Sequence, residues 1–209
     1  MDGSVAAPHE KRPSEKRERV VDAAVEIFAE HGFHGARIAA IAERAGVAEG
    51  TIYLHFRSKD ELLVTIFREK MAHILAEMAA LLGSDADPRE KLARYVEGHL
   101  GLVTEQPALM QVLTVEVRQS ARFMRSAPSA FGRYLALLGH AIAEGQARGI
   151  FRADLRPSIA ARAIFGAVDE LARAWVLQGG TTPEKRAVAR HTVLTLVLDG
   201  LLGRGVDRP

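Results

Sequence analysis

The side chains best placed to do chemistry lie in the stretch 37–56, RIAAIAERAGVAEGTIYLHF. Thr51, Tyr53 and His55 carry hydrogen-bonding groups, while Ile52 and Phe56, four apart, form an apolar pair at helical spacing. A helix that packs through Ile52 and Phe56 turns Thr51, Tyr53 and His55 outward. Short polar groups and a Tyr on one face suit phosphates and base edges in a DNA major groove. The same spacing also fits an ordinary helical hairpin. In that reading Gly50 is simple turn chemistry and Tyr53 a packed aromatic.

Catalysis and metal binding find less support. The eight His form no H-E-x-x-H pair, and no G-x-S-x-G or phosphate-cradling Gly loop occurs. His31 and His34 are three apart, but Gly32 and Phe33 interrupt the helix between them. Asp169 and Glu170 are adjacent, so on a helix they point apart. With no cysteine there is no thiolate ligand, disulfide or cysteine nucleophile. No catalytic residue, metal ligand or cofactor is assigned, and the chain is expected not to be an enzyme.

The elements that position the reading face follow from its neighbours. Ile38, Ile41, Ala42 and Ala45 mark one apolar helical face, and Gly46 supplies the reversal before Val47. Ala48, Glu49 and Gly50 are small or polar, so the second helix can approach a surface closely. Ahead of the motif, Val20, Val21, Ala24, Ile27 and Phe28 predict a helix over 14–30, ended by Gly32. Lys11, Arg12, Lys16, Arg17 and Arg19 gather at its start, as cations for a phosphate backbone or as a solvated face. Residues 1–12 read as a disordered tail.

Behind the motif the signals are helical throughout. Ser58-Lys59-Asp60-Glu61 is a capping box that opens a helix to about 82. Asp87-Pro88, Pro107, Ser126-Ala127-Pro128, Pro157 and Thr182-Pro183 open further helices, the last four ending near 119, 149, 178 and 202. No segment alternates with period two for long enough to make a strand. The expected fold is all-α, with about nine helices: a three-helix DNA-binding head over 13–60 and a larger ligand-binding and dimerisation domain over 61–206.

Composition bounds the rest. The chain has 209 residues, 48% hydrophobic and 26% charged, as soluble globular proteins do. Net charge is +2, and residues 1–60 hold 9 basic against 10 acidic side chains, a formal −1. Any electrostatic footprint must therefore be a local stripe. The polar N-terminus predicts no signal peptide, and no apolar run approaches the roughly 18 residues of a membrane span. The expected compartment is the cytoplasm.

With these residues in view, the N-terminal part resembles the TetR family of bacterial transcriptional regulators. Ala23-Ala24, Phe28, Gly32-Phe33, Ile41-Ala42, Ala45-Gly46-Val47, Gly50-Thr51-Ile52-Tyr53, Phe56, Lys59 and Leu62 keep the family register from Ala23 to Leu62. The resemblance implies a homodimer that places the second motif helix of each subunit in a palindromic operator. It implies DNA contacts from Arg37, Ile38, Ala48, Glu49, Gly50, Thr51, Tyr53, His55 and Lys59. Ala36 and Arg37 stand where the family usually has Thr or Ser, which removes a hydroxyl cap worth roughly 1 kcal/mol.

The larger part resembles the branch of that family that represses fatty-acid degradation and is released by long-chain acyl-CoA. The matching stretches are FREKM (67–71), VEVRQS (115–120), IFGAVDE (164–170) and Trp175-Val176. An acyl-CoA needs an apolar tunnel and a cationic mouth. Met71, Leu75, Met78, Val103, Met110, Leu113, Phe123, Phe131, Tyr134 and Phe165 could line the tunnel, or be plain core. Arg118, Arg122 and Arg125, at i, i+4 and i+7, could hold phosphates if their helix continues, or form a solvated stripe. Glu116 and Asp169, set among apolar neighbours, are also candidates for the effector site, and should be partnered if buried. Ala163, Ala167, Leu171 and Trp175, with His191, Leu194 and Leu198, have the pattern of a dimer interface. Two other readings stay open. One is the same head with a pocket for drugs or aromatic metabolites; the other is a helical binding protein or enzyme with no DNA function.

Overall fold

The computed structural model describes residues 13–120 and 128–202. Nine α-helices occur among them: α1 (Pro13–Gly35), α2 (Ile38–Ala45), α3 (Glu49–His55), α4 (Lys59–Leu82), α5 (Pro88–Glu105), α6 (Pro107–Thr114), α7 (Pro128–Ala147), α8 (Pro157–Leu177) and α9 (Pro183–Leu201). A single 3-10 turn, Glu116–Gln119, follows α6. An isolated antiparallel bridge joins Phe151 to Leu202.

Local chemistry sets most of the boundaries. Gly46 adopts the left-handed conformation (φ 63°, ψ 43°). There the Val47 amide donates back to the Ala42 carbonyl at 3.0 Å and the Gly46 amide to that of Glu43 at 3.1 Å. This paired closure stops α2 and turns the chain into α3. Ser58 Oγ accepts the Glu61 amide at 3.1 Å. Glu61 reaches back one residue further than an ideal capping box would, to the Arg57 amide at 2.8 Å. Asp87 and Thr182 cap α5 and α9 in the same way. Pro at the first turn fits at 88, 107, 157 and 183 because the amide it lacks has no helical partner there.

Two helices depart from expectation. Helix α1 runs on to Gly35 across a kink at Gly32 (φ 69°, ψ 161°), where a helix ending before Gly32 was expected. The kink releases the Phe33 amide from the helical ladder, and the Glu116 carboxylate accepts it at 2.7 Å. Helix α6 stops at Thr114 and not near 119. Glu116 is drawn toward Phe33, and Arg118 Nη1 donates to the Thr114 carbonyl at the helix end. The continuous helical stripe expected for Arg118, Arg122 and Arg125 is therefore absent at its start. Arg122, Phe123 and Arg125 lie outside the described residues, as does the 1–12 tail.

The core runs unbroken through both halves, from Val20, Phe28 and Ile41 through Leu62 and Ile66 to Tyr95, Leu138 and Ile164. Ion pairs clip α1 onto its neighbours: Arg17 to Glu69 and Asp22 to Lys70 on α4, and Arg44 on α2 to Glu26 and Glu30. No helix among the described residues is long and apolar enough to cross a membrane.

Candidate nucleic-acid interface and effector cavity

Helix α3 is pinned by Ile52 and Phe56, both buried, against α1. The Arg17 guanidinium lies over the Phe56 ring, 5.5 Å from its centroid. With that face fixed, Tyr53 is 55% exposed and Leu54 83% exposed on the opposite side. Ala48, Glu49 and Gly50 are exposed, and Thr51 and His55 are half-buried beside them. Leu54 was not singled out from sequence. Its exposure follows from the helical phase that buries Ile52 and Phe56, so the signal was present.

Of the other candidates on this face, Ile38 and Lys59 are already engaged, whereas Arg37 is not. Arg37 is exposed and precedes α2 without any side-chain cap, as the missing hydroxyl implies. Ile38 is half-buried against the core, so it supports the reading helix more than it reaches out. Lys59 Nζ donates to the carbonyls of His34 (3.1 Å) and Ala36 (3.0 Å), above the Phe33 ring. Two of its three donors thus close the end of α1.

Between α4, α5, α6, α7 and α8 lies a small, mostly apolar cavity of about 60 Å³. Of the residues expected there, Met71, Met110, Leu113, Phe131, Tyr134, Phe165 and Asp169 line it. Phe67, Ile74, His99, Leu102 and Thr114 join them. Phe165 is the hub of the aromatic wall: it meets Phe131, Tyr134 and His99 edge-on at 4.7, 5.7 and 5.6 Å between centroids.

Four expectations are corrected. Leu75 and Met78 pack against the core outside the cavity, because α4 turns them past its wall. Val103 is buried and borders a different, surface groove with Pro107 and Gln111. Glu116 does not reach the cavity: its buried carboxylate is occupied by the Phe33 amide and by Gln111 Nε2 at 2.8 Å.

Arg118 stands at the rim. It is 45% exposed and pairs at 2.7 Å with Asp169, whose side chain is 15% exposed. Behind the rim, Tyr95, His99 and Tyr134 form a buried polar cluster, with Tyr134 Oη 3.2 Å from His99 Nδ1. Burial lowers the His99 pKa to about 4, against a small opposing pull from Asp169, so the ring is neutral. The same desolvation pushes both tyrosines up. Tyr95 and His99 lie in register with Leu92, Val96 and Val103, so the stripe marks them as inward-facing but not as polar contacts.

On the outer side, α8 and α9 present Ala163, Ala167 and His191 exposed and Leu171, Leu194 and Leu198 half-buried. Ile159 and Leu196 extend this apolar face. Trp175, expected to face a partner, is instead 8% exposed and packed in the core. It continues the inward stripe of Ala161, Ile164, Val168 and Ala172.

A small helical head with an outward reading helix, fused through one long helix to a domain with an apolar cavity, defines the class of ligand-responsive DNA-binding regulators. Residues 20–66 match the family model described as bacterial regulatory proteins, tetR family, and residues 67–200 match that of the YsiA-like protein, C-terminal region. The fatty acid metabolism regulator protein of Bacillus subtilis is 36% identical over 193 residues, 92% of this chain and 97% of that protein. The chain belongs to the TetR family of bacterial regulatory proteins. The solved structure of the transcriptional regulator FadR from Bacillus subtilis in complex with stearoyl-CoA superposes with TM-score 0.80 at 32% identity, covering 88% of this chain and 98% of that one. For the fatty acid degradation regulator FadR from Bacillus halodurans the values are 0.82, 34%, 89% and 96%.

Proposed function

We propose that the protein is a repressor of fatty-acid degradation genes that grips a palindromic duplex operator as a homodimer and leaves it when a long-chain acyl-CoA enters the cavity. The observation that carries this reading is the end-to-end likeness to a regulator named for fatty acid metabolism and to a solved regulator from the same organism that holds stearoyl-CoA. The cavity chemistry supports it. Its wall is methionine, leucine and phenylalanine, and Arg118 at the rim can exchange the Asp169 carboxylate for a phosphate. Effector and DNA share the cytoplasm, which is where the protein works. No catalysis is assigned to it.

Release is a shift between two conformers, and the ligand must prefer the one that does not fit DNA. Two structural routes connect cavity to head. Helix α4 carries Met71 and Ile74 at the wall and Lys59 and Asp60 at the head. The segment 116–120 carries Arg118, paired to Asp169 at the wall, between two links to the head: Glu116 to the Phe33 amide, and Ser120 Oγ, which donates to Asp60 Oδ1 at 2.7 Å. A chain seated beside Asp169 bears on both.

The domain division follows the same logic, with 13–60 reading DNA and 61–206 binding effector and partner. A second reading, a pocket for drugs or flat aromatic metabolites, is favoured by the edge-on cluster around Phe165. Titrating palmitoyl-CoA and a set of cationic dyes against operator-bound protein separates the two. Release by palmitoyl-CoA alone is expected; release only by dyes removes the acyl-CoA reading.

A further inference from the structure

The cavity wall is apolar except for four groups, and three of them are satisfied within the protein. Thr114 Oγ1 donates to the Met110 carbonyl at 2.7 Å, Asp169 accepts from Arg118, and Tyr134 Oη meets His99 Nδ1. The fourth, His99 Nε2, is fully buried and has no hydrogen-bond partner. Buried polar atoms in native proteins are almost always paired, so an orphan on a cavity wall points to something that the cavity takes in.

The neighbouring hydroxyls fix what it wants. A phenol is a better donor than acceptor, and the bare nitrogen of a neutral imidazole is a strong acceptor. Tyr134 O–H therefore donates to His99 Nδ1, and the single ring proton sits on Nε2. Nε2–H is then a lone donor in a wall of Phe, Met and Leu, and only an acceptor can answer it. A saturated hydrocarbon chain has none.

We propose that His99 Nε2–H donates to a carbonyl oxygen of the effector, making His99 the residue that selects a carbonyl-bearing chain over a plain hydrocarbon one. The assignment rests on the acyl-CoA reading and adds to it a polar anchor inside the apolar cavity. The carbonyl could be that of the thioester or an oxo group further along the chain. Tyr134 acts by holding the tautomer, and the hydroxyl of Tyr95 lies behind it in the same buried cluster.

The test is operator release by three ligands of equal length: palmitoyl-CoA, its S-hexadecyl thioether, which lacks the carbonyl, and a thioether carrying one mid-chain keto group. Wild type is expected to prefer a carbonyl ligand to the plain thioether by roughly tenfold, about 1.4 kcal/mol. Preference for palmitoyl-CoA identifies the thioester carbonyl, and preference for the keto thioether identifies the chain oxygen. His99→Leu is expected to bring the ratio close to one. Equal response of wild type to all three, or a ratio unchanged by His99→Leu, overturns the assignment and leaves the acyl-CoA reading standing. Failure of every CoA ligand to release the operator overturns that reading, and the assignment with it. Should His99→Leu not fold, Tyr134→Phe with nitrogen-15 NMR of the imidazole serves instead. Loss of both the Nε2–H tautomer and the preference is expected; loss of the tautomer with the preference intact contradicts the assignment.

Discussion

Tyr53 and Leu54 stand out among individual residues because burial of Ile52 and Phe56 leaves them nowhere to go but outward. Tyr53→Ala is expected to weaken operator binding by about 1–3 kcal/mol, read from a duplex mobility shift at fixed salt. Leu54 has no polar group, so it can discriminate only by apolar contact, for which a thymine methyl is the natural partner. Leu54→Ala should relax preference at an A·T pair in a binding-site selection while leaving the salt dependence unchanged. His99 carries a third expectation. Its folded pKa, about 4, lies below the unfolded value, so the unfolded chain binds the extra proton between these limits. The stability this neutral histidine contributes is intact above about pH 6.5 and lost as pH falls toward 4, by roughly 3 kcal/mol in all. Thermal melts over that range should show a loss that His99→Leu abolishes.

At the scale of elements, most starts and stops were legible because they are local. The caps at Ser58, Asp87 and Thr182, the first-turn prolines and the Gly46 closure all depend on residues a few positions apart. The end of α6 was not legible, because it is set by a carboxylate pairing with an amide 83 residues away. Periodicity also could not tell which apolar residues of α4 face the cavity: Met71 and Ile74 do, whereas Leu75 and Met78 pass it by. The 3-10 turn that results is the element where cavity and head meet. Glu116→Ala strands the Phe33 amide and Gln111, and should destabilise the fold by about 1–3 kcal/mol. It should also raise the acyl-CoA concentration needed for release without a matching change in affinity for the free protein. Comparing fluorescence-monitored ligand binding with operator release separates the two effects.

Across the whole molecule, the two jobs are joined by one continuous core, so the head is packed onto α4 and the 116–120 segment and is not a loose appendage. Two copies, paired through α8 and α9 as a four-helix bundle, must set their reading helices about 34 Å apart, one turn of duplex, to grip a palindromic operator. Ala163 and Ala167 leave room there for close approach. Ala167→Arg should split the dimer, seen as a halved mass in sedimentation, and abolish operator binding while each subunit stays folded.

If cavity and operator bias one equilibrium, their affinities are tied by a single factor in both directions. The direct measurement is calorimetric titration of palmitoyl-CoA into free protein and into protein saturated with operator. Weaker binding to the operator complex is expected, by the same factor by which palmitoyl-CoA weakens operator binding. Equal affinity in the two titrations would contradict it, whatever else the ligand does.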